Sequence, residues 1–390
     1  MMRQLKLILL LLLLAACSSQ AETVTVEPTA EPTPSGPPPL AERMLFVPEG
    51  FEIQIYGGLA RSGASSMTFG PDGSLYVLTV DGQIYRLRDD AQDDHAADSR
   101  ELIYTNEATV LEHAVGIAFG PDGALYISDK GRIVRMLDVD GDEVYDSIDP
   151  IVTDLPALLY PLHSNNGIAF GPDGKLYVGV GSSTDHGPIQ QQREASILRM
   201  NPDGSELEVF ATGFRNPYDL TFSPNGDLFT ADNGPDQLDM TLRYIPPEEL
   251  NHVRQGRNYG FPDAFGKLLP AGNTSEPPIT EFFPSTVSSG LVYYSGAQFP
   301  PAFQNGVFVA QFGTGVPAML DRGILQGHTV VFVPLQPTAD GTFTGDFQLF
   351  LQFVPAWGRP IDVTVGPDGA LYVLDYLTSE VFRVTYTLGS

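Results

Sequence analysis

The chain is 390 residues long, with 48 acidic side chains against 21 lysines and arginines, a formal net charge of −27 and one cysteine. Phosphate contacts need clustered Lys and Arg, so this composition argues against nucleic acid as a partner. A lone cysteine rules out an intrachain disulfide, so an extracytoplasmic fold must rely on its core and on bound ions.

The amino terminus reads as a processing signal rather than as structure. Arg3 and Lys6 precede an apolar run over residues 7–14, too short to cross a bilayer comfortably. Leu14-Ala15-Ala16-Cys17 follows and resembles the cleavage box of a bacterial lipoprotein. Residues 1–17 are therefore expected to be a lipoprotein signal peptide, with Cys17 carrying the lipid anchor. The protein is expected on the extracytoplasmic side of a bacterial membrane, periplasmic or cell-surface, touching it through that anchor only. Residues 18–43 are rich in Pro, Thr, Glu and Ser, bury little, and are expected to form a disordered tether.

Residues 44–390 repeat one phrase. It reads FGPDGSLYV from Phe69, FGPDGALYI from Phe119, FGPDGKLYV from Phe170, FSPNGDLFT from Phe222 and VGPDGALYV from Val365. The first four copies lie about 50 residues apart, and the longer gap before the last holds a degenerate copy, AFQNGVFVA from Ala302. Pro-Asp-Gly between two apolar runs is turn chemistry: proline presets φ, aspartate bonds the backbone ahead, and glycine accepts φ > 0. Each turn joins two β-like runs. One such sheet cannot bury both faces alone, so the units must stack around an axis. The expected fold is all-β, a six-bladed β-propeller of four-stranded antiparallel blades. A strand over residues 51–56 is expected to complete the last blade and close the ring. A short helical stretch is expected near residues 248–255.

Loops at one end of a propeller channel converge, so polar residues flanking the repeat are the candidates for chemistry. Three clusters stand out. His163-Ser164-Asn165-Asn166 enters the third blade, and histidine suits general base work near neutral pH. His113 holds a similar place one blade earlier and is the weaker candidate. Arg215-Asn216 leads into blade four; arginine can clamp a carboxylate or an oxyanion, or be a structural partner of an aspartate such as Asp219. Asp232-Asn233-Gly234-Pro235-Asp236 leaves the same blade, and such a turn can offer carbonyls to a hard cation. Asp138-Val139-Asp140-Gly141-Asp142 has a calcium-loop flavour but reads better as a hairpin turn. Asp185-His186 is placed in a loop at the pocket rim. Trp357 is expected in the core, and Tyr293-Tyr294 in strand packing.

Together the strings HSNNGIAFGPDGKLYVGVGSS, ATGFRNPYDLTFSPNGDLFTADNGPD, EELNHVRQGRNYGFP and GRPIDVTVGPDGALYVLD resemble the glucose/sorbosone dehydrogenase family, six-bladed propellers that carry pyrroloquinoline quinone and calcium. The resemblance implies a dehydrogenase of a small-molecule sugar, with an electron acceptor it does not identify. It implies His163 as catalytic base, Arg215 and Asn216 as contacts to the quinone oxygens, and the carbonyls of Gly234 and Pro235 as calcium ligands. Arg359 falls where the family often faces an arginine to the cofactor carboxylates. The chain departs from the family on blade five. Ser285-Thr286-Val287-Ser288 replaces a His-Ser-Ala-Pro run, Phe312-Gly313-Thr314 opens where a His-Gly-Ser-Trp-Asn-Arg loop is usual, and Thr329 stands at an expected lysine. Leu162 occupies a place that some members give to an acidic residue. Two other readings remain open: a non-catalytic cell-surface binding propeller, and a calcium-dependent lactonase-type hydrolase using Asn166 and Asn233.

Overall fold

A computed structural model describes residues 43–89, 95–107, 110–156, 163–235, 245–314, 326–354 and 357–387. The Pro-Asp-Gly turn forms as its chemistry dictates. In the first copy Gly73 takes φ 81°, and the Gly70 and Ser74 backbones bond across the turn at 2.9 Å. Asp72 accepts from the Ser74 N–H at 3.1 Å with one oxygen and from the Tyr76 hydroxyl at 3.2 Å with the other. Asp122 and Tyr126, Asp173 and Tyr177, and Asp368 and Tyr372 repeat the arrangement. The motif's tyrosine is thus bonded to the turn that precedes it.

The same tyrosine joins neighbouring blades. Tyr76 meets Phe119 edge-on at 4.9 Å, Tyr126 meets Phe170 at 4.9 Å, Tyr177 meets Phe222 at 5.0 Å, and Tyr372 meets Phe69 at 4.9 Å. The first three motifs therefore each supply a phenylalanine to one neighbour and a tyrosine to the other, while the fourth supplies the phenylalanine and the last the tyrosine. Such edge contacts add about 1 kcal/mol each beyond the area they bury.

Six antiparallel blades result. Blade one is Ala64–Phe69, Leu75–Thr79, Ile84–Arg88 and Ser99–Tyr104. Blades two, three and four start with Gly116–Phe119, Asn165–Phe170 and Pro217–Phe222, and each adds three strands in chain order. Blade five is Ser288–Tyr293, Gly306–Gln311, Thr329–Pro334 and Gln348–Val354. Its outer edge carries a fifth strand, Met44–Phe46, which the sequence did not announce. Blade six is Pro360–Val365, Leu371–Asp375 and Glu380–Tyr386, completed by Phe51–Gly58 from the other end of the chain. Pairing of Phe51 with Tyr386 and Gly58 with Glu380 closes the ring, as expected.

Buried side chains gather into clusters at the six seams between adjacent blades, for example Leu78, Ile84, Ile117 and Ile127 between one and two. The second strand of each blade is buried on both faces, because it faces a seam on either side. Trp357 and Tyr294 are core residues of the seam between blades five and six. The degenerate copy does enter a blade-five strand, Gly306–Gln311. The helix expected near residues 248–255 does not form: Glu248–Val253 is the third strand of blade four. Pairing with Leu228–Asp232 and Thr280–Phe282 overrides the helical preference of Glu-Glu-Leu.

Candidate active site

Acidic residues at strand ends aim the rim loops. Asp232 closes the second strand of blade four and accepts the N–H groups of Arg215 at 3.0 Å and Asn216 at 2.6 Å. Asp375 does the same in blade six for the Arg359 N–H, and Asp129 in blade two for Glu112 and His113 at 2.9 and 2.7 Å. Glu248 holds the blade-five entry, taking the Val287 and Ser288 N–H groups at 2.7 Å each and the Thr286 hydroxyl at 2.8 Å. Burial and the facing Glu249 push the Asp232 carboxyl up to about 8.

Blade three uses a different device. His163 is buried, and its Nδ1 lies 3.2 Å from the Ser182 carbonyl. A carbonyl only accepts, so Nδ1 carries the proton and Nε2 the lone pair. Ser182 in turn donates its N–H to the Arg215 carbonyl at 2.7 Å. Gly181 lies between the two blades, where a Cβ would press on Asn216 Oδ1 and on the His163 backbone. Burial, reinforced by the Arg215 cation, pulls the His163 imidazole down to about 4.

Arg215 is buried and ion-paired with Asp185, not with Asp219. Its Nε also reaches the Asp185 carbonyl at 3.3 Å. Asn216 accepts the Asn166 side-chain N–H at 2.8 Å through Oδ1, and its carbonyl accepts the Asn233 N–H at 3.3 Å. Asn233 spends its side-chain Nδ2 on the carbonyls of Ser288, at 2.9 Å, and Asn216, at 3.4 Å. Its Oδ1 is buried and has no hydrogen-bond partner among the described residues. Gly234 then passes so close to the Pro247 carbonyl that a Cβ would overlap it. His163, Arg215, Asn216 and the Asn233-Gly234-Pro235 turn therefore form one connected cluster.

Arg359 stands apart, on blade six. It donates to the Gly313 carbonyl at 3.2 Å and lies over the Phe312 ring at 4.8 Å, with burial lowering its pKa. Phe312 meets Tyr376 edge-on at 5.4 Å, and Tyr218 of blade four packs against the same core cluster as both. On blade five, where the family pattern fails, Thr329 donates to Gln311 at 3.1 Å and His328 Nδ1 donates to the Gly358 carbonyl at 2.7 Å. His113 makes no described hydrogen bond to the cluster. Leu162 and Asp236 lie outside the described residues. A cavity of about 770 Å³ opens elsewhere, at the Pro-Asp-Gly turns of blades one and six, and none of the cluster lines it.

Sequence reasoning missed the roles of Asp232, Asp375 and Glu248, although an acid two residues after the motif's LYV or LFT was legible in two of them. It missed Asp185 as the partner of Arg215 altogether. Asp138, Asp140 and Asp146 do come together in a mostly exposed hairpin connection, with the Asp138 carboxylate bonding the Gly141 N–H at 2.7 Å.

Six four-stranded antiparallel blades define the class of protein, a six-bladed β-propeller. The chain belongs to the glucose/sorbosone dehydrogenase family, whose sequence profile matches residues 62–380. It is 24% identical over 265 residues to the aldose sugar dehydrogenase YliI of Escherichia coli, covering 59% of this chain and 62% of that one. It is 28% identical over 136 residues to quinoprotein glucose dehydrogenase B of Acinetobacter calcoaceticus, 27% of each chain. An uncharacterized protein of Borreliella burgdorferi is 26% identical over 367 residues, 88% of this chain and 91% of that one. The fold matches the pyrroloquinoline quinone domain of a Coprinopsis cinerea pyranose dehydrogenase with a TM-score of 0.72 at 17% identity, over 90% and 99% of the two chains.

Proposed function

We propose that this chain oxidises an aldose or related sugar with pyrroloquinoline quinone and calcium as cofactors. The observation that carries the reading is the connected cluster of His163, Arg215, Asn216 and the Asn233-Gly234-Pro235 turn, on a chain of this family. The residues present fit the two groups. Asn233 offers a buried, unpartnered oxygen beside the turn, and backbone carbonyls suit a hard cation. Arg215, and Arg359 from the other wall, supply cations for an acidic cofactor. When bound, the quinone supplies the hydride acceptor and calcium polarises it.

This chain's own groups do the rest. His163 presents an Nε2 lone pair, held in place through Nδ1, and takes the proton of the sugar hydroxyl as the carbon gives up its hydride. Burial is the main cause of that base's weakness, and the Arg215 cation adds to it. An anionic group placed against Arg215 would lift only that smaller part of the depression. Asn216 is oriented from both sides, by Asp232 at its backbone and Asn166 at its side chain.

The test is a titration of purified protein with the quinone and calcium, followed by aldoses and a dye acceptor. Calcium-dependent binding with dye reduction is expected, and His163→Gln should lower kcat/KM by about 10² or more while binding persists. No binding at micromolar quinone would defeat the reading and favour a non-catalytic surface propeller. Lactone hydrolysis without quinone would favour the hydrolase. The cluster is further proposed to work outside the cytoplasm, tethered through Cys17. Cys17→Ser should move the protein from the membrane to the soluble fraction, and an unchanged distribution would count against the anchor.

A further inference from the structure

The loop after the second strand of blade three grips both sides of the cluster. Ser182 holds His163 through its carbonyl and Arg215 through its N–H. Three residues on, Asp185 takes the Arg215 guanidinium twice, with its backbone carbonyl at 3.3 Å and with its carboxylate. The second oxygen of that carboxylate meets His186 Nδ1 at 3.0 Å, and His186 is largely exposed. Arg215 itself is almost wholly buried, while Asp185 is one-third exposed. Nothing in the family resemblance assigns a role to this aspartate.

We infer that Asp185 is a positioning residue: it fixes the Arg215 guanidinium beside His163 and offsets its charge there. The inference rests on the proposed role of Arg215 as a cofactor contact, but its first consequence does not. A buried cation next to an imidazole makes the ring a poorer base, and a carboxylate bonded to that cation restores part of the loss. Among the described residues, the charged groups that act on His163 are Arg215, which disfavours the imidazolium, and Asp185, which favours it. Ser182 adds a backbone carbonyl that also favours it. Without the Asp185 charge, Arg215 would keep its place near His163 through the Asp232 and Ser182 backbone bonds and its Nε bond to the Asp185 carbonyl, while its head group would lose the carboxylate that holds it.

The experiment follows the His163 ring by NMR as pH is lowered, in the cofactor-free full chain, and separately measures quinone binding by absorbance. Asp185→Asn should move the ring's midpoint down by about half a pH unit, or below the accessible range. Asp185→Glu should bring it back, and Arg215→Gln should move it up. In proteins that bind the quinone, Asp185→Asn should raise Kd about tenfold. A midpoint that stays or rises in Asp185→Asn overturns the inference, as does an unchanged Kd. If the wild-type chain binds no quinone, the proposed function fails while the ring titration still decides this point. If Asp185→Asn does not fold, the wild-type Arg215 Nε–H resonance decides: slow exchange with solvent supports the clamp, and fast exchange overturns it.

Discussion

His163 is buried beside a cation, and both conditions favour the neutral imidazole. Its pKa is lowered to about 4, so the proton that would inactivate it binds only in acid. For the free enzyme kcat/KM should therefore stay nearly level between pH 7 and pH 5, where an ordinary histidine would cut it about 25-fold. An acid limb near pH 6.5 would place the base elsewhere. Asp232 is the other decisive residue, because two rim N–H groups end on one carboxylate. Asp232→Ala leaves both donors buried and unpaired, which costs about 2–5 kcal/mol in all. Thermal denaturation should register that loss, and quinone affinity should fall with it, since Arg215 and Asn216 are no longer aimed.

At the scale of the element, the inner strands share a register. Three residues before the end of each inner strand stand Ser66, Gly116, Gly167, Asp219, Gly290 and Asp362. The two aspartates use the room the glycines leave. Asp219 abuts Gly167 of blade three and accepts the Leu291 N–H of blade five at 3.1 Å. Asp362 abuts Gly290 of blade five and accepts the Met67 N–H of blade one at 2.7 Å. Each carboxylate thus ties together the inner strands on either side of its own. Gly167→Ala would drive a methyl group into the Asp219 carboxylate, and a loss of about 2 kcal/mol or more is expected in urea denaturation. Gly73, at an open turn with φ 81°, should instead give a smaller loss from backbone strain alone. The ring closure makes a second contrast. Removing residues 1–47 takes the extra strand on blade five, the Arg43–Glu380 pair and the packing of Leu45 and Val47, but leaves each blade its four strands, so the fold should survive. Removing residues 1–58 takes the fourth strand of blade six, and cooperative unfolding should be lost or shifted far down.

At the scale of the molecule, the buried acids set the pH response. Burial and neighbouring carboxylates raise Asp232 to about 8, and burial raises Asp362 and Glu249 to about 7. Asp219 is raised by burial and by the Asp362 charge. A carboxyl whose folded pKa is raised binds its proton more tightly in the folded state. Stability then increases as pH falls through the folded value and levels off only below the ordinary one. The buried histidines act in the opposite sense, mainly below their ordinary value near 6.5. Between pH 8.5 and pH 6.5 the acids outweigh them, because the unfolded histidines are half protonated only at the lower end, so Tm should be higher at 6.5. Asp362→Asn should flatten that difference whatever it does to Tm itself, and an unaltered slope would show that the carboxyl does not titrate there.

The sequence by itself determined the repeat, and with it the blade count, the turns and the closure of the ring. Local chemistry sufficed for these, since Pro-Asp-Gly-x-Leu-Tyr contains its own turn, its own hydrogen bonds and its own contact to the next blade. It also marked His163, Arg215, Asn216, Gly234 and Pro235, because a polar run beside a repeated apolar strand has to sit at a blade end. Only the tertiary structure decided which carboxylate meets which backbone. Arg215 pairs with Asp185, 30 residues away, and Asp219 turns instead to blade five. The segment from Glu248 became a strand, and residues 44–46 joined blade five rather than the blade six that the next strand completes. Those outcomes depend on groups distant in the chain competing for the same partners, and spacing along a sequence does not record which of them arrives.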